Sequence, residues 1–162
     1  IEYEHWDTVL KLLCLKPSIV NSQKDENAIQ SGKHFGAGEG PQHKALKEYI
    51  CAHSESIGIR NVVKSDMEFI LLSGDRLDVY FEQKDGTRIA VEVKSKISAD
   101  DDILRGIYQC VKYKAILDAE NKTHGVFGTT RSLLVIEGSL SESNQQVKDS
   151  LGITAIERFE QQ

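Results

Sequence analysis

The stretch Ser73-Gly-Asp-Arg-Leu-Asp-Val-Tyr-Phe-Glu-Gln-Lys-Asp-Gly-Thr-Arg-Ile-Ala-Val-Glu-Val-Lys-Ser-Lys96 decides the fold. Two runs of alternating apolar residues flank Lys84-Asp85-Gly86-Thr87. An Asp-Gly pair between such runs signals a hairpin, because both residues tolerate the backbone of a tight turn. The pattern predicts antiparallel strands over 77–83 and 88–95. Side chains alternate faces along a strand. Leu77, Val79 and Phe81 therefore share one face, and Asp78, Tyr80 and Glu82 the other. On the second strand Ile89, Val91 and Val93 oppose Ala90, Glu92 and Lys94. The apolar sets belong in a core, which leaves Asp78, Glu92 and Lys94 able to converge on the opposite face.

Two carboxylates and a lysine suit a hard divalent cation with an ammonium beside it. Mg²⁺ takes one or two carboxylates plus waters and phosphate oxygens. The ammonium can orient a metal-bound water or offset charge developing on a phosphate. The plainer alternative is a solvated strand face carrying ordinary charges.

The remaining chain sets bounds on this. With 162 residues, 40% of them hydrophobic and 28% charged, it has the size and make-up of one globular domain. No run approaches a membrane span and no signal peptide is visible. Cys14, Cys51 and Cys110 lie far apart, without a Cys-x-x-Cys. That favours a reducing, cytoplasmic setting without structural zinc. The sequence opens on Ile1 rather than Met, as a trimmed or processed chain does. Net charge is −5, which argues against strong non-specific DNA binding by this domain alone.

Apolar spacing predicts a first helix over 4–15, stopping before Pro17. Residues 1–38 read as that helix and a flexible lead-in, and 39–162 as the main domain. Gly36-Ala-Gly-Glu-Gly40 lacks the Gly-Lys-Ser/Thr ending of a phosphate-binding loop. Pro41 suits a helix start, and the helix is expected to reach Ile57 and end at Gly58. Leu46, Ile50, His53 and Ile57 form its apolar stripe. Helical phase puts Glu39 and His43 near that face and Glu48 on the other. Residues 67–72 predict the strand before the hairpin, in a meander that leaves the Glu92–Lys94 strand central. Asp75 reads as a turn residue or an alternative acid. Ser98 and Asp100 to Asp102 start a helix to about Ala119, acidic where the dipole favours it. Ile103, Leu104, Ile107, Cys110 and Val111 are its expected core stripe. Strands within 125–137 and at 153–159, joined by a helix over 141–151, imply a parallel pair by a right-handed crossover. The fold class is α/β: a mixed sheet, part antiparallel meander and part parallel, flanked by helices.

An Asp, thirteen residues, then Glu-Val-Lys on a hairpin resembles the PD-(D/E)xK phosphodiesterase superfamily, the restriction endonuclease-like nucleases. The match covers residues 39–159 and puts Asp78 in the first motif and Glu92 and Lys94 in the second. Leu77 stands where the family's usual Pro would be. Gln109-Cys-Val-Lys-Tyr113, on the helix after Glu-Val-Lys, resembles the Gln-x-x-x-Tyr motif of the RecB-like branch. The resemblance implies a Mg²⁺- or Mn²⁺-dependent nuclease, with a DNA endonuclease of restriction, repair or recombination type expected ahead of one acting on RNA. It implies metal binding by Asp78, Glu92, the Val93 carbonyl and an acid from the first core helix, for which Glu39 is preferred to Glu48 on helical phase. A carboxylate merely well placed at a helix N-terminus is the other reading of Glu39. Lys94 would orient the attacking water, and Gln109 and Tyr113 would steady the site or contact phosphate. His43, Lys96, Arg105 and Lys112 are candidate nucleic-acid contacts; for His43 a partly buried structural role is the alternative. Nucleic-acid affinity is expected from a local basic patch, the metals, a homodimer or another DNA-binding domain, fused or associated. The rival expectation is a non-catalytic nucleic-acid-binding or structural module on the same fold.

Overall fold

The computed structural model describes residues 40–161. The expected helix over 4–15 and Glu39 lie outside them. Helix α1 spans Pro41–Ala52, with Pro41 in its first turn. The i→i−4 series ends at His53, and a tighter 3₁₀ turn, Ser54–Ile57, follows, closed by Gly58 at φ 75°. The predicted single helix is thus two pieces. The change of pitch brings Ile57 into the core and leaves His53 exposed, so His53 drops out of the predicted stripe.

Strands β1 (Val62–Ile70), β2 (Arg76–Gln83) and β3 (Arg88–Lys94) form the antiparallel meander. The strand before the hairpin begins five residues earlier than residue 67, and Leu71 and Leu72 belong to the turn that follows. The hairpin forms at the predicted Asp-Gly. Gly86 takes φ 80°, and the Asp85 carboxylate accepts from Thr87 N–H. Helix α2 (Asp100–Thr123), strand β4 (Thr130–Ile136), helix α3 (Glu142–Ser150) and strand β5 (Thr154–Ile156) complete the chain. The sheet order is β1-β2-β3-β4-β5, with β3·β4 and β4·β5 parallel. The Glu92–Lys94 strand is central, as the pattern predicts. Ser141 caps α3 by accepting from Asn144 N–H.

Helix α1 covers one face of the sheet, where Leu46 and Ile50 meet Val79, Phe81, Ile89, Val91 and Val93. Helix α2 covers the other, where Tyr113 and Leu117 meet Tyr80 and Ala90. The polar-side strand face is therefore buried, not solvated. Leu77 departs from its predicted face and packs with Tyr80, Tyr113 and Leu117. Glu68 lies between the pairs Met67↔Val79 and Phe69↔Leu77, abreast of Asp78, and takes φ 54°. The left-handed residue thus sits at the level of the ribbon where β2 changes face, although the pairing on either side keeps its register. On α2, Ile103, Ile107 and Cys110 are buried as expected, with Gly106, Tyr113, Leu117, Glu120 and Asn121. Leu104 and Val111 fall outside that stripe, because its axis runs through Gly106 and Tyr113. Among the described residues no helix is long and apolar enough to cross a membrane.

Candidate active site

The β2–β3 ladder runs from Glu82↔Arg88 to Val79↔Val91. Beyond it, the Val93 N–H donates to Asp78 Oδ2 at 2.9 Å in place of a backbone partner. This gap in the sheet positions Asp78. Helix α1 reaches it with two residues one turn apart. His43 Nε2 lies 3.6 Å from Asp78 Oδ2 and donates to the Val93 carbonyl at 2.9 Å. Lys47 Nζ lies 3.6 Å from Asp78 Oδ1 and pairs also with Glu68. Burial works to raise the Asp78 carboxyl. The His43 and Val93 hydrogen bonds, with the charges of His43 and Lys47, outweigh it and hold Asp78 below the ordinary value. The His43 imidazole is correspondingly raised, chiefly by its contact with Asp78.

Glu92 and Lys94 leave β3 on the α2 side. They are only 3% and 7% exposed, which excludes the plain reading of a solvated charge pair. Lys94 Nζ lies 3.1 Å from Glu92 Oε1 and 3.2 Å from Asp102 Oδ1. Burial first, and then the Asp78 charge, push the Glu92 carboxyl up to about 7, against the pull of Lys94. Burial acts to lower the Lys94 ammonium, but Glu92 and Asp102 more than offset it and raise it. Two carboxylates shifted in opposite directions, one of them joined to a buried ammonium, are the arrangement from which acid–base and metal chemistry can be built.

Helix α2 can approach because residue 106 is Gly. A Cβ there would stand 2.8 Å from Lys94 Cε, 3.2 Å from Leu134 Cδ1 and 3.4 Å from Glu92 Cγ. Farther along, Gln109 Nε2 donates to Tyr113 Oη at 2.9 Å, and Tyr113 Oη donates to the Arg76 carbonyl at 3.1 Å. Burial first, and then the charge of Glu92, hold the Tyr113 hydroxyl above its ordinary value. The tyrosine proton is used on Arg76, so the Gln109 amide must face it with nitrogen. That leaves Gln109 Oε1 buried and accepting no hydrogen bond within the described residues.

Asp78, His43 and Val93 thus meet on the α1 side and Glu92, Lys94 and Asp102 on the α2 side, near enough for the Asp78 charge to act on Glu92, and Gln109 and Tyr113 follow along α2. Glu48 does not join them: it is exposed and pairs with Lys44. Lys96 is exposed, and its N–H is held by Glu137. Arg105 is exposed beside Asp102. Lys112 pairs with Asp75, which also accepts from Ser73 in the β1–β2 turn; the turn reading of Asp75 holds. Sequence reasoning missed Lys47, Glu68 and Asp102. Lys47 was within its reach, four residues after His43 on the same helical face. Asp102 reads as a dipole-compensating acid, and only the packing of α2 on β3 reveals its contact with Lys94.

Among the described residues no group of three or more His, Cys, Asp or Glu side chains is placed to hold a metal ion by itself. The Asp78 and Glu92 carboxylates and the Val93 carbonyl are the hard oxygen donors that a cation keeping water and substrate oxygens would use, and Gln109 Oε1 is a buried acceptor with no hydrogen bond among the described residues.

No protein-family model and no curated protein matches the sequence. Solved structures do. The EndoMS-dsDNA2 complex aligns at TM-score 0.54 and 19% identity, over 76% of this chain and 47% of that one. A repair endonuclease from Pyrococcus abyssi aligns at 0.51 and 20%, over 75% and 49%. EndoMS in apo form aligns at 0.50 and 19%, over 74% and 47%. The chain spans about half the length of these proteins. At such identity the likeness is one of fold, and the five-stranded mixed sheet with flanking helices is the architecture the chain shares with these endonucleases.

Proposed function

We propose that the chain is a metal-dependent nuclease that hydrolyses DNA phosphodiester bonds, with Mg²⁺ or Mn²⁺ as its ion. The observation that carries this is the buried Glu92–Lys94 pair beside an ionised Asp78. Fold alone does not assign an activity; this constellation is what supports the reading. Asp78, Glu92 and the Val93 carbonyl would hold the ion, with Glu39, just ahead of α1 in the sequence, as a further acid. When bound, the ion supplies a Lewis acid and an acidified water.

The chain's own groups do the rest. Asp78 is held ionised and oriented by Val93 N–H, His43 and Lys47. Glu92 is held in a dry site, where charge is felt strongly. Lys94 presents an ammonium that orients the nucleophilic water and offsets charge developing on the phosphate. Asp102 and Glu92 fix that ammonium from two sides. Gln109 and Tyr113 brace the wall, and Gln109 Oε1 is an acceptor for a water proton. DNA as substrate is supported by the DNA complex of a protein sharing the fold. The test is cleavage of supercoiled, linear and single-stranded DNA with Mg²⁺ or Mn²⁺, with Asp78→Asn as control. Cutting that needs the ion and is lost in the control supports the reading. Metal-independent cutting, or equal cutting by Asp78→Asn, contradicts it.

A further inference from the structure

Lys47 is 3% exposed, yet it carries an ammonium. A buried charge survives only with partners. Among the described residues Glu68 on β1 and Asp78 on β2 serve it, on adjacent strands and abreast of each other. The two differ in setting. Asp78 is 16% exposed and Glu68 39%. Asp78 is held by Val93 N–H and His43 as well as by Lys47, whereas Glu68 opens toward solvent and Arg76. Glu68 keeps a left-handed backbone that residues with a Cβ rarely adopt. Such a conformation persists where the surroundings fix it and is concentrated at functional sites.

We propose that Lys47 is a built-in counter-cation of the metal site. Its ammonium, 3.6 Å from Asp78, offsets that carboxylate across the gap, and Glu68, to which it is hydrogen-bonded, is the carboxylate that holds it off the metal-binding oxygens. Lys47 and Glu68 are positioning residues that set metal affinity. The inference rests on the reading that Asp78 and Glu92 hold the ion.

It has a signature that simple support of the fold lacks. Lys47→Met keeps the buried stem and removes the like charge, so Mn²⁺ affinity rises, by roughly tenfold. Glu68→Gln removes the charge that anchors the ammonium and lets it close on Asp78, so affinity falls by a similar factor. The two variants combined decide the mechanism. If Glu68 acts through Lys47, Glu68→Gln has no further effect once Lys47 is Met.

The experiment is calorimetric titration of the full chain with Mn²⁺, without DNA, for the parent, both single variants and the double variant. The proposal expects a rise, a fall and a double variant equal to Lys47→Met. Parent-like affinity in Lys47→Met overturns it, as does a Glu68→Gln effect that persists unchanged in the double variant, which would be mere long-range charge. If Lys47→Met does not fold, Glu68→Gln decides alone: unchanged affinity overturns the proposal. A parent that binds no Mn²⁺ overturns both this and the metal-nuclease reading, whereas a parent that binds it with unaltered variants overturns this one only.

Discussion

Gly106→Ala separates the geometry of the site from the stability of the fold. The added methyl would stand 2.8 Å from Lys94 Cε, roughly 0.6 Å inside the 3.4 Å where ordinary contact begins. Lys94 is the most easily displaced of the three neighbours, because its end is flexible whereas Leu134 is packed in the core. Alanine is favoured over glycine in a helix interior by about 0.8–1.0 kcal/mol. Crowding a packed site costs about 1–3 kcal/mol. The net is a destabilisation between nothing and about 2 kcal/mol, a fall of at most about 8 °C in Tm at this chain length. The effect on function is far larger: an ångström-scale misplacement of a catalytic group costs about 10² in rate. The expected outcome is Mn²⁺ affinity near the parent's, a modest Tm change and a DNA cleavage rate down about 10–100-fold. Gly138, where an added methyl would meet nothing within 4 Å, is the control, and its alanine variant is expected to cut normally. Parent-rate cleavage by a folded Gly106→Ala would refute the claim that the position of Lys94 matters.

Other outcomes follow from the same contacts. Glu92 rises on folding from 4.5 to about 7, so it contributes stability below pH 4.5 that is lost as pH climbs through 7; the raised His43 has the same sign. In EDTA the parent's Tm is therefore expected to fall between about pH 5 and 8, and Glu92→Gln to flatten that fall; an identical slope in both proteins contradicts the burial argument. Tyr113→Phe leaves Gln109 Nε2 and the Arg76 carbonyl without their partner, at about 1–3 kcal/mol, and is expected to lower turnover of the folded fraction as well; unchanged specific activity would make the pair structural only. With a net charge of −5, DNA binding by this chain is expected to be weak and to fall steeply with salt in a filter or anisotropy titration; tight, salt-insensitive binding would point to base contacts instead.

What could be read from the sequence depended on whether the signal was local. Asp85-Gly86 announced the hairpin because the turn needs positive φ at Gly86 and an acceptor for Thr87 N–H at Asp85. The alternation on either side placed Glu92 and Lys94 on one face, and the order of helices and strands implied the mixed sheet. The phase of α1 put His43 at the site and Glu48 away from it. What stayed hidden depended on partners distant in sequence. Nothing in Met67-Glu-Phe69 announces a left-handed glutamate, since that backbone is fixed by the strands around it, and the face of Leu77 turns with it. Lys47 looked like one lysine among many until its burial against two carboxylates was visible. The core stripe of α2 was drawn through large apolar residues, whereas the helix is seated by a glycine and a tyrosine.

The central claim is that Asp78 and Glu92 hold the ion while Lys94 acts on water or phosphate. The direct measurement is single-turnover cleavage beside Mn²⁺ titration for Lys94→Met and Asp78→Asn. Lys94→Met is expected to bind Mn²⁺ as well as the parent or better, because a like charge has left, and to cut about 10²–10³-fold more slowly. Asp78→Asn is expected to lose binding and cutting together. A folded Lys94→Met protein that cuts at the parent rate would contradict the account.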